Sequence, residues 1–143
     1  MTEYISLMRA PTVDTQAFWD GCQEGKLLVN RCEICSRYSY FPRLHCPFCG
    51  HADVRPTAVS GDGSIYSFTT VRFSPFGDRW KSEIPYVVAQ VDLDEGVRFL
   101  SRVIAPEVGQ RIAIGCRVRV HFVNVHDSEM LLPFFQLTPP QAT

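Results

Sequence analysis

The chain has 143 residues, of which 45% are hydrophobic and 20% charged, with a formal net charge of −1. That suits a soluble globular protein with room for one ordinary domain or two small ones, and no apolar run is long enough to cross a bilayer. Six basic and six acidic residues precede Pro56, and eight basic and nine acidic residues follow it. Neither half therefore concentrates the positive charge that nucleic-acid binding needs.

Residues 1–12 read as a short arm. The start, Met1-Thr2-Glu3-Tyr4, has no basic stretch followed by an apolar one, so the expectation is a cytoplasmic chain with reduced thiols. Asp14 is the expected N-cap of a helix over residues 15–24, with Gly25 as its stop. Phe18, Trp19 and Cys22 give that helix an apolar face. The face suits docking on the chain's own core; the competing reading is a partner surface, where Trp is enriched. Cys22 reads as a small buried apolar residue, because no basic cluster activates it.

The segments 27–31 and 38–41 read as strands, and each leads towards a C-x-x-C knuckle. Cys32 and Cys35 form the first knuckle, and Cys46 and Cys49 the second, with ten residues between the pairs. Two thiolates from each knuckle complete the closed tetrahedral set of a structural zinc site, with no position open to water or substrate. Iron in the same cage is the alternative metal. Two disulfides are the remaining alternative, disfavoured by the reducing compartment. His45 and His51 flank the second knuckle, but the thiolate set is already complete without them. Strand, knuckle, strand, knuckle is the layout of a zinc ribbon, a module too small to fold on its core alone.

After Pro56 the pattern becomes that of strands. Segments 64–73, 85–93, 97–104 and 117–125 alternate or are rich in β-branched and aromatic residues. A fifth strand over 131–137 contains Pro133, which suggests an edge or a bulge. The segment 74–83 reads as a loop, and Asp94-Glu95-Gly96 as a hairpin turn. Five strands with one long connection between the third and fourth predict an OB-fold barrel. The organisation expected is an arm and helix over 1–25, a zinc ribbon over 26–56 and the barrel over 57–143, mainly β throughout.

In the fourth barrel strand Val118, Val120 and Phe122 share one face, and Arg117, Arg119 and His121 the other. The second row suits an anion site or, more blandly, a solvated outer face. Arg72, Arg98 and Arg102 are weaker candidates of the same kind. There is no Gly-rich phosphate loop, nucleophile elbow or H-E-x-x-H motif, so no catalytic residue is nominated.

Several motifs occur in one order: Phe18-Trp19, Glu24-Gly25-Lys26-Leu27-Leu28, Cys32-Glu33-Ile34-Cys35 and Cys46-Pro47-Phe48-Cys49-Gly50. They are followed by Gly61-Asp62-Gly63-Ser64-Ile65-Tyr66-Ser67-Phe68-Thr69, Pro85-Tyr86-Val87-Val88-Ala89, Leu93-Asp94-Glu95-Gly96-Val97-Arg98 and Ile114-Gly115-Cys116-Arg117-Val118. In this combination, covering nearly the whole chain, the sequence resembles the DUF35 family, whose members join a rubredoxin-like zinc ribbon to an OB-fold. The resemblance implies an accessory subunit of a thiolase-like or hotdog-fold acyl-CoA enzyme, binding or passing a CoA thioester. It includes partners that act as acyl-CoA hydratases or in sterol side-chain degradation by retro-aldol chemistry. Catalysis would lie in the partner, and only Cys32, Cys35, Cys46 and Cys49 carry a family role to this chain.

On that reading Arg79, Trp80 and Lys81 are the nominated contacts for CoA or the partner. Arg and Lys meet phosphates, and Trp stacks on adenine or anchors an interface. A solvated loop with one packed Trp competes with it. The alternative function is a single-stranded nucleic-acid binder with Tyr66, Phe68 and Phe99 stacking on bases. A stand-alone enzyme would have to draw on Cys22, Cys116 or His121.

Overall fold

The computed structural model describes residues 11–74, 78–104, 106–124 and 129–139, the side chains of Arg79 and Trp80 excepted. Most of the N-terminal arm lies outside those residues. The chain divides into two compact units between Ala58 and Val59.

In the first unit, helix α1 spans Gln16–Gln23. Its N-terminus is organised by Thr12 and Thr15 rather than Asp14. Thr15 stands at the cap position, the Thr12 N–H donates to Thr15 Oγ1 at 2.8 Å, and Thr12 O accepts from the Gln16 N–H. Gly25, at φ 72°, ends the helix as expected. The Phe18 ring lies 5.0 Å from Trp19 and 6.5 Å from Tyr40, so the helix's apolar face docks within its own unit. Gly21 permits this close approach, since a Cβ there would fall 2.8 Å from Leu28 Cγ.

Three strands follow: β1 (Leu27–Cys32), β2 (Tyr38–Ser39) and β3 (Val54–Val59), in the order β2-β1-β3. β2 is two residues long, shorter than the sequence suggested, and β3 was not anticipated because Pro56 argues against a strand. The buried apolar residues of this unit are few: Cys22, Leu27 and Val29, with the ligand cysteines Cys32 and Cys46.

The second unit is a closed barrel of β4 (Asp62–Val71), β5 (Tyr86–Leu93), β6 (Arg98–Val103), β7 (Arg117–Asn124) and β8 (Leu131–Leu137). The strand order is β4-β5-β6-β8-β7, with β7 pairing back onto β4. This is the OB-fold topology, with residues 104–116 as the long connection. The core holds Ile65, Val91, Phe99, Val118 and Phe135, and the Phe99 and Phe135 rings meet edge to face at 5.9 Å. β5 and β6 form the expected hairpin, turning at Gly96 with φ 90°.

Two barrel expectations need correction. Asp78–Glu83 is a 3-10 turn rather than irregular loop. Pro133 lies on an interior strand of the barrel, paired with Phe122 of β7. It is tolerated there because β6 meets β8 at Val103–Phe135, beyond the proline, while Ser101 Oγ donates to Pro133 O at 2.5 Å.

Candidate functional site

The two knuckles are built alike. After Cys35 the chain turns through Ser36 at φ 63°, and after Cys49 through Gly50 at φ 79°. Ser36 N donates to Cys32 O at 2.9 Å, and Gly50 N to Cys46 O at 3.0 Å. The next residue in each case closes the loop: Cys32 N donates to Arg37 O and Cys46 N to His51 O. Further backbone amides aim at sulfur, from Cys35 onto Cys32 Sγ at 3.5 Å and from Phe48 onto Cys46 Sγ at 3.4 Å. The repeated turn is what points two thiols from each knuckle at one spot.

The four sulfurs lie within 4.8 Å of one another, with Cys32 to Cys49 and Cys35 to Cys46 both at 3.6 Å. All four thiols are free. A tetrahedron with metal–sulfur bonds of about 2.3 Å has edges of about 3.8 Å, so the cage fits one ion without rearrangement. The four cysteines are thus positioned to bind a metal ion. Cys32 and Cys46 are buried, and Cys49 is exposed.

The electrostatics of the cage agree with that. Desolvation opposes ionisation of Cys46, but the backbone N–H groups of Cys49 and Phe48 and the neighbouring thiols outweigh it and bring the thiol down to about 6. At Cys49 the His51 backbone favours the thiolate, yet desolvation and the hydrogen bonds to Cys32, Cys46 and Cys35 that use its proton push it up to about 12. The cage thus favours one thiolate and resists the next, and a dication is what makes full ionisation favourable. His51 Nδ1 lies 3.4 Å from Cys49 Sγ, outside the four-sulfur set, and His45 is exposed.

The barrel's row of Arg117, Arg119 and His121 is the solvated outer face, and its two arginines are each paired with a carboxylate. Arg117 makes two hydrogen bonds to Asp94, at 2.7 and 2.6 Å, and Arg119 meets Asp62 at 2.7 Å. Arg98 grips Asp92 at 2.7 and 3.1 Å and lies 3.3 Å over the Tyr66 ring. These carboxylates hold the guanidinium groups in the charged form, and the hydrogen bond from Arg117 holds the Asp94 carboxyl below its ordinary range. Of the aromatic stacking set, Tyr66 and Phe68 are exposed, with Arg98 lying over the Tyr66 ring, but Phe99 drops out. Phe99 is 1% exposed, so it cannot meet a base. Nor does Cys22 offer a nucleophile: it is fully buried, and desolvation raises its thiol to about 11. The Cys116 thiol rests on Arg111 O at 3.6 Å.

Of the nominated loop, Lys81 is exposed and ion-paired with Asp78, while the side chains of Arg79 and Trp80 lie outside the described residues. Beside the same turn the barrel unit carries an open cleft of about 680 Å³. Arg72, Glu83, Arg102 and Arg111 line it, with Phe68, Tyr86 and Val87 among its walls. Sequence reasoning had noted Arg72 and Arg102 but not Arg111, since residues so far apart in the chain carry no shared local signal.

Residues 19–55 match the ChsH2 rubredoxin-like zinc ribbon domain, and residues 56–123 the ChsH2 C-terminal OB-fold domain. A protein of Thermomonospora curvata named "Probable enoyl-CoA hydratase alpha subunit" is 34% identical over 87% of this chain; the chain spans 38% of that relative's length. A "DUF35 domain-containing scaffold protein" of Methanothermobacter thermautotrophicus is 30% identical, with 73% of this chain and 77% of the relative aligned. Among solved structures, a chain of the "Ltp2-ChsH2(DUF35) aldolase" superposes with a TM-score of 0.76 at 28% identity, covering 90% of this chain and 98% of that one. With its four-cysteine ribbon and five-stranded barrel in the same order, the chain belongs to the DUF35 family.

Proposed function

We propose that this chain is a zinc-binding accessory subunit that docks on a thiolase-like or hotdog-fold acyl-CoA enzyme in the cytoplasm. The partner carries the chemistry, and this chain completes the complex and helps to hold a CoA thioester. The observation that carries this reading is the likeness, over nearly its whole length, to the DUF35 chain of an aldolase complex. The hydratase alpha-subunit relative supports the acyl-CoA class. Lipid or sterol side-chain degradation, by thiolase or retro-aldol chemistry in the partner, is the setting the resemblance favours.

Within the ribbon, Cys32, Cys35, Cys46 and Cys49 would hold zinc. Four thiolates leave the ion no open position, so its contribution is to fold the ribbon, not to activate a substrate. Arg79, Trp80 and Lys81 are the proposed contacts for CoA or the partner; Lys81 is exposed, and its ion pair with the exposed Asp78 would have to be exchanged for the ligand. The test is affinity capture of the tagged chain from its native cells, with the co-purifying proteins identified by mass spectrometry. The expected result is stoichiometric recovery of a thiolase-fold or hotdog-fold acyl-CoA enzyme. Recovery of the chain as a lone monomer, with no affinity for such enzymes on mixing, would overturn the proposal.

A further inference from the structure

The barrel unit handles its arginines in two ways. On the outer face Arg98, Arg117 and Arg119 each have a carboxylate of their own. In the cleft, Arg102 is ion-paired with Glu83 and wedged 4.4 Å over Tyr86 and 5.2 Å over Phe134. Arg72 and Arg111 line the same cleft, both are exposed, and neither has an ion-pair partner among the described residues. Of the arginine side chains described in this unit, the two left unpaired face one cavity.

The cleft's lining charges are three arginines against one glutamate, an excess of two positive charges. Arg102 already satisfies Glu83, so that excess resides on Arg72 and Arg111. The remaining walls are largely apolar, with Phe68, Val87, Val103 and Ile112. A volume of about 680 Å³ falls inside the range of roughly 300–1,000 Å³ typical of small-molecule sites. Guanidinium groups recognise phosphate and carboxylate by paired hydrogen bonds, and beside an apolar wall they are less screened than in open water.

We infer that this cleft binds a small organic anion, its phosphate or carboxylate head held by Arg72 and Arg111 and its apolar arm laid along Val87, Val103 and Ile112. Arg102 is not a ligand contact in this arrangement. Locked by Glu83 and the two rings, it forms a fixed wall that keeps the cleft open. For a CoA thioester the inference rests on the ligand-holding role proposed above; for a carboxylate ligand it stands apart from that role.

Calorimetric titration of the full-length, metal-loaded chain with octanoyl-CoA, and separately with octanoate, tests this and separates a phosphate head from a carboxylate head. Saturable binding of at least one probe is expected. Arg72→Ala and Arg111→Ala should each weaken it at least tenfold, the double variant should abolish it, and Arg119→Ala on the outer face should leave it unchanged. Both cleft arginines are exposed and unpaired, so an unchanged melting temperature is expected and confirms that the variants are folded. Arg72→Lys, which keeps the charge but loses the fork, should fall between wild type and alanine. No binding of either probe, or equal binding by the double variant, would overturn the inference.

Discussion

The ribbon and the barrel solve the same problem with different materials. The barrel buries Ile65, Val91, Leu93, Phe99, Val103, Val118 and Phe135 behind five strands whose hydrogen bonds close on themselves. The ribbon unit buries Leu27, Val29 and Cys22, and its second strand is two residues long. Its order is carried instead by two copies of one turn that aim four thiols at a single point. One unit therefore rests on apolar area, the other on four thiols positioned to bind an ion, and each should fail to a perturbation that spares the other.

The largest expected effect is removal of a ligand. Cys46→Ser, or a strong chelator on the wild type, should release the metal and unfold the ribbon. Structural zinc supplies on the order of 10 kcal/mol to such modules. Limited proteolysis should then cut within residues 26–55 and leave a resistant barrel fragment. The same loss should follow acidification. The ligands must be deprotonated to bind, so protons compete as the pH falls, and metal retention should decline below neutrality while holding above it.

Next in size is the converse lesion. Phe135→Ala removes a fully buried ring that meets Phe99 and should cost the barrel about 3–5 kcal/mol in denaturant unfolding. Metal content of the folded protein should not change. A smaller effect is expected at the seam where the barrel closes. Gly61 sits at φ 80°, and a Cβ there would run into Val120 Cγ1. Gly61→Ala should cost about 1–3 kcal/mol through crowding and the left-handed backbone.

The smallest concerns the outer face. Asp94→Asn removes the carboxylate that Arg117 grips, but both side chains are about half exposed. The loss should be about 0.5 kcal/mol or less. Its sign with pH is fixed. The folded Asp94 carboxyl lies below its unfolded value, so the pair stabilises above that unfolded value and is lost as pH falls through the folded one. The difference between wild type and Asp94→Asn should therefore shrink as pH drops below about 4.

The same contrast explains what the sequence made legible. The ribbon's ligands are local: two C-x-x-C pairs carry their own turn geometry, so the cage could be read directly. The barrel strands were legible through alternation, Arg117 to Asn124 most clearly, with Val118 buried between exposed Arg117 and Arg119. What failed was long-range or contrary to local preference. β3 was hidden by Pro56, and the helix start went to Thr12 and Thr15 instead of Asp14 because threonine hydroxyls closed the turn first. The arginine row left an anion site and a solvated outer face both open, and Asp62 and Asp94, which pair with it and favour the second, arrive from elsewhere in the chain. The cleft gathers Arg72, Arg102 and Arg111 from three separate segments, a grouping that depends on the pairing of β4, β5 and β6 and on the connection after β6.

The most direct test of the account measures metal content and partner capture on the same samples. Wild-type chain should carry one zinc per molecule and recover an acyl-CoA enzyme, while Cys46→Ser should carry none and recover nothing, although its barrel remains folded. A metal-free Cys46→Ser chain that still captures the enzyme as well as wild type would contradict the proposal that docking depends on a metal-folded ribbon.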